Sequence, residues 1–143
     1  MNNIKAINSL LKDELAAVET YQQMFEKLRE DASLGETESL LPIYENHKTA
    51  VTSLQALIRQ SGGTPAVTSG VWGAWSKLIE GGAKLLGKVS ALEALRVGEK
   101  IGEEEYERAL KDTELPADLF SLIMSTLLPA QKSHTHTLNR LLV

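Results

Sequence analysis

The chain has 143 residues, the length of one ordinary domain, and with 43% hydrophobic but only 5% aromatic residues its composition favours packed helices over a β-sandwich. It has no cysteine, which excludes disulfides, thiolate metal sites and cysteine nucleophiles and leaves oxygen and imidazole as the only metal donors. A net charge of -4 and a pI near 5.4 work against the clustered basic surface that a nucleic-acid partner requires, so no nucleic-acid partner is expected, and Lys5, Lys12, Asp13 and Glu14 interrupt the N-terminal segment before a signal peptide or membrane span could form, so a cytoplasmic protein is expected.

The first predicted helix runs from about Asn3 to Arg29, with a core stripe of Ile7, Leu11, Glu14, Val18, Tyr21, Phe25 and Leu28 at alternating steps of four and three. Glu14 is the one charge in it. The second starts after Ser33, which forms a capping box with Glu36, and ends at Gly62 and Gly63 with Pro65 beyond. Its stripe is Leu40, Tyr44, His47, Val51, Leu54 and Ile58, interrupted by Tyr44 and His47. The third starts after Ser90, with a capping box to Glu93, and carries Leu92, Leu95, Glu99, Gly102, Tyr106 and Ala109. The fourth opens near Pro116 and carries Phe120, Met124, Leu127, Gln131, His134, Leu138 and Leu141. Pro42 and Pro129 each lie five residues before a stripe histidine, and each should remove a backbone bond and kink its helix.

Short links predict that the first and second helices, and the third and fourth, form antiparallel hairpins. Between them, the residues from Gly62 to Val89 are enough to travel back along a helix of roughly 40 Å, so the second and third helices are expected to run parallel in one domain covering 1–143. The halves resemble each other. Ile7, Leu10, Glu14, Glu19 and Tyr21 recur at one constant offset as Leu92, Leu95, Glu99, Glu104 and Tyr106, and Ser39–His47 (SLLPIYENH) matches Thr126–His134 (TLLPAQKSH). The crossover carries Val71, Trp72, Trp75, Leu78 and Ile79 on a short amphipathic face, expected to pack across the bundle or to supply a contact in a homodimer rather than to lie on a membrane. Monomer and dimer both remain open.

An apolar seam has no use for an unpaired carboxylate, so Glu14 and Glu99 need partners. Position along the hairpins puts them near the height of His47 and His134, with Tyr44 and Gln131 as further ligands or hydrogen-bond partners. Two carboxylates and two imidazoles suit one divalent ion, Fe, Mn or Zn; equally, the four residues can pair with one another as buried ion pairs without a metal.

Two hairpins joined by a crossover, a stripe Glu on the first and third helices and histidines on the second and fourth resemble the ferritin-like superfamily. LQALIRQSGGTP and GEKIGEEEYERAL look like a bacterial branch of it known only as a domain of unknown function. The resemblance implies a ferritin-like four-helix bundle, metal-ligand roles for Glu14, His47, Glu99 and His134, and a redox or stress-related role. The chain departs from the di-iron pattern where Tyr44 and Gln131 replace carboxylates, which removes two charges needed to offset a second ion. Glu45 and Glu103 lie one step off the stripe, and His136 is expected at the surface. The sequence holds no nucleophilic triad or phosphate loop, so no catalytic residue is assigned.

Overall fold

The computed structural model describes residues 2–30, 34–69 and 87–143. Helices are the regular structure of these residues: α1 (Asn2–Glu30), α2 (Leu34–Gln60), α3 (Gly87–Leu110), α4 (Ala117–Leu122) and α5 (Leu128–Leu141), with α4 and α5 joined by a π turn at Ile123–Leu127. α1 packs along α2 and α3 along α5, and the pairs close on each other through α1 with α3 and α2 with α5.

Two apolar clusters fill the bundle. One joins Tyr21 and Phe25 of α1 to Leu40 and Ile43 of α2, Leu92 and Leu95 of α3 and Leu138 of α5. The other joins Ile7 and Leu11 to Leu54, Ile58, Tyr106, Leu119 and Ile123. The late part of α1 thus meets the early parts of α2 and α3, so α2 and α3 point the same way, opposite to α1 and the α4–α5 rod. No helix among the described residues is long and apolar enough to cross a membrane.

The end of α2 shows why its glycines are there. Gly62 has φ +82°, a conformation costly to a residue with a Cβ, and it lets the Gly62 and Gly63 amides turn back to the carbonyls of Arg59 (3.0 Å) and Ile58 (2.9 Å) in a Schellman motif. The chain then climbs back along α1. Asn8 accepts from the Ala66 amide at 2.9 Å, and the Ser69 hydroxyl donates to Glu19 at 2.7 Å, about 16 Å further along that helix. The Trp72 and Trp75 segment, and Ser33 of the capping box in the second helix, lie outside the described residues.

Two boundary expectations change. α3 already includes Gly87, so Ser90 lies within the helix instead of capping it; serine costs a helix interior only a few tenths of a kcal/mol, too little for a capping pattern to stop the winding. The two prolines also differ. Pro42 sits within α2, which is assigned as one helix from Leu34 to Gln60, whereas Pro129 follows the π turn and occupies the first turn of α5.

That π turn corrects the stripe of the fourth helix. Phe120 and Met124 are 44% and 51% exposed, and Leu119 and Ile123 are buried in their place. In the π turn the Leu128 amide reaches back five residues to the Ile123 carbonyl, one more than in an α-helix. The extra residue shifts the core-facing side by one position, so the spacing that holds from Leu127 to Leu138 fails when extended backward.

Candidate functional site

The polar stripe residues meet in one layer between the two apolar clusters. Glu14, His47, Glu99, Gln131 and His134 are all buried, each from its expected stripe position. His47 is at the centre. Its Nδ1 lies 2.5 Å from Glu14 Oε1 and its Nε2 2.6 Å from Glu99 Oε2. An ionised carboxylate only accepts, so both ring nitrogens donate and His47 is an imidazolium. Burial pushes against that charge, but the attraction of Glu99 and Glu14 and their hydrogen bonds outweigh it and raise the His47 pKa to about 10.

Glu99 is the most heavily solvated by protein. Its Oε1 accepts from Gln131 Nε2 at 2.7 Å and from His134 Nδ1 at 3.1 Å, and its Oε2 accepts from the Tyr21 hydroxyl at 2.6 Å as well as from His47. Burial alone would raise its pKa; His47, with the hydrogen bonds of His134 and His47, reverses this and lowers it to about 2. Glu14 Oε2 accepts from the Tyr106 hydroxyl. Burial, and then the neighbouring carboxylates, hold both phenols well above their ordinary pKa, so they stay protonated donors. No buried side-chain nitrogen or oxygen among the described residues lacks a hydrogen-bond partner.

The halves interlock reciprocally. Glu14 meets His47 of its own hairpin and Tyr106 of the other; Glu99 meets His134 of its own hairpin and Tyr21 of the other. The symmetry breaks at His47, whose second nitrogen reaches Glu99, and at Gln131, which has no counterpart in the layer. The amide of Gln131 passes over Gly102, where a Cβ would lie 2.5 Å from Nε2. Only glycine leaves it room.

Tyr44 does not join this layer, contrary to the role its stripe position suggested. It is half-buried one turn away, where its hydroxyl accepts from Gln22 at 2.9 Å and its ring meets the edge of Phe25, because a phenol at that height reaches the rim of the bundle before its centre. The tyrosines that do reach the carboxylates, Tyr21 and Tyr106, stand in the sequence as apolar stripe members. Their signal was present: each follows a stripe Glu by seven residues, two turns along the same face. Glu45 is exposed, Glu103 is buried but bonded by Lys100 at 2.8 Å, and His136 is exposed.

The metal-ligand geometry selects a subset. One ligand atom each from His47, Glu99 and His134 lie within 4.8 Å of one another, whereas Glu14 stands on the other side of the His47 ring. Two imidazoles and a carboxylate are a donor set for Fe, Mn or Zn. A four-coordinate ion with bonds of about 2.0 to 2.2 Å needs neighbouring donors only slightly over 3 Å apart, so small side-chain movements suffice. A void of about 10 Å³, near the size of one water, touches Glu14, His47, Gln131 and Gly102 and is flanked by Asp13 and Glu105.

No family model matches the chain, and comparison with curated proteins and with solved structures finds no significant relative. Fold and site together define an all-α bundle with a buried Glu/His layer.

Proposed function

We propose that this is a ferritin-like bundle that binds one divalent, non-haem ion, Fe, Mn or Zn, through His47 Nε2, Glu99 and His134. The observation that carries this reading is the convergence of those three groups from three helices, with Glu14 on the far nitrogen of His47. A metal-bound histidine characteristically donates its other ring N–H to a carboxylate, which sets its tautomer and orientation, and Glu14 stands where that carboxylate belongs. Tyr106 in turn holds Glu14, while Tyr21 and Gln131 hold Glu99. The ion would replace the proton that His47 now shares with Glu99. The parallel α2 and α3, the long crossover and the reciprocal halves support the ferritin-like assignment.

One observation favours a second reading, a structural bundle whose layer is a closed ion-pair network: every buried side-chain nitrogen and oxygen among the described residues is already partnered, and both nitrogens of His47 are engaged. Element analysis of tag-free protein together with thermal melts separates the two. Metal binding predicts about one equivalent of ion, a Tm lowered by chelator and restored by Fe, Mn or Zn, and no such response in His134→Phe. Metal-free protein whose melt ignores both additions leaves the structural reading.

A further inference from the structure

An open groove of about 590 Å³ runs between α2 and α5, with His134 in its wall. This residue faces two ways. Its Nδ1 donates to Glu99 at 3.1 Å, and no hydrogen bond among the described residues engages its Nε2. Since no buried side-chain nitrogen or oxygen among the described residues is unpartnered, Nε2 lies on the groove side of the ring. The buried carboxylate thus engages Nδ1 and leaves Nε2 to the groove. A bound hydroxyl, which both donates and accepts, can hydrogen-bond to it.

The rest of the lining is selective. On a chain with 19 acidic residues, no Asp or Glu among the described residues lines this groove, and the one full-time charge among its described lining residues is the exposed Arg140. Arg140 follows His134 by six residues, about 9 Å along the helix, and both line the groove. The wall also includes the apolar side chains of Ile43 and Leu141, together with Asn46 and Ser133.

We infer that the groove binds a small hydroxylated organic carboxylate, its carboxylate on Arg140, its hydroxyl on His134 Nε2 and a short methylene spacer over Ile43 and Leu141. A guanidinium presents paired donors that match a carboxylate, and the apolar wall gives the spacer a dry surface. The inference concerns the protein without a bound ion and does not rest on the metal reading.

The test is an NMR titration of chelator-treated full-length protein, following the imidazole resonances of His47, His134 and His136, with 6-hydroxyhexanoate, hexanoate and inorganic phosphate as probes. The expected result is a saturable shift of His134 with 6-hydroxyhexanoate, several-fold weaker binding of hexanoate, and no saturable shift with phosphate. Arg140→Gln, at an exposed position, should weaken 6-hydroxyhexanoate by about tenfold while leaving the His47 resonances in place as a check on folding. Ser133→Trp, also exposed, should block the groove. Unmoved His134 resonances, equal binding by R140Q, or phosphate shifting His134 as strongly as 6-hydroxyhexanoate would each overturn the proposal.

Discussion

The amide of Gln131 occupies the space that any side chain on residue 102 would need: a Cβ there would stand 2.5 Å from Nε2. Glycine in mid-helix ordinarily costs about 1 kcal/mol relative to alanine, so Gly102→Ala would stabilise a helix with an empty neighbour. Here it should destabilise by about 1 to 2 kcal/mol, because Gln131 must leave Glu99 and a buried acceptor loses its donor. With Gln131→Ala already in place the sign should reverse. Urea melts of the two single variants and the double variant check this, and additive effects would show that the two residues do not compete for the space.

His47 bridges the two carboxylates of the layer, one on each ring nitrogen. Removing it alone, as His47→Phe, should cost about 3 to 5 kcal/mol, the usual penalty for orphaning a buried charge. Glu14→Leu with His47→Phe removes one charge of each sign but strands the Tyr106 hydroxyl, at about 1 to 3 kcal/mol. Adding Tyr106→Phe should recover most of that loss. Chemical denaturation of the series tests the order, and a triple variant less stable than the double would contradict it.

Stability should depend on pH in two separate windows. The His47 pKa rises from 6.5 in the unfolded chain to about 10, so its contribution is complete below 6.5 and is lost as pH climbs toward 10. The Glu99 carboxyl falls from 4.5 to about 2, so its contribution is complete above 4.5 and is lost as pH drops toward 2. The layer therefore stabilises most between 4.5 and 6.5. Unfolding free energies across pH measure this, and His47→Phe should flatten the alkaline limb. An alkaline limb of unchanged slope in that variant would assign it to other groups.

The π turn predicts which side of the fourth helix tolerates change. Leu119→Ala and Ile123→Ala remove fully buried side chains and should each cost about 2 to 5 kcal/mol. Phe120→Ser and Met124→Gln alter exposed positions and should stay within about 0.5 kcal/mol. Thermal melts of the four variants distinguish this from an uninterrupted α-helix, in which the costly pair would be Phe120 and Met124.

Glu14, His47, Glu99, Gln131 and His134 were legible in the sequence because polar residues at core spacing stand out against hydrocarbon. The end of α2 was legible because Gly-Gly has a backbone role there. The π turn left no such mark. Ile123 to Leu127 contains no glycine or proline, and the shift arises from a backbone bond that composition does not encode. Tyr21 and Tyr106 were hidden for a different reason: a tyrosine in a stripe reads as a hydrophobe, and whether its hydroxyl ends at a carboxylate depends on the neighbouring helix. Tyr44 misled in the opposite sense, standing on the correct face but at a height where its ring reaches the rim.

The polar layer also acts as an alignment key for the whole bundle. Apolar residues lie on both sides of it, and leucines and isoleucines of similar size would accept several longitudinal arrangements of the helices. Sliding one helix by a single turn, about 5.4 Å, would keep oil against oil in both clusters yet leave a carboxylate or an imidazolium facing hydrocarbon. The two apolar halves can therefore be assembled in only one longitudinal match, the one in which four helices bring their polar residues to the same height.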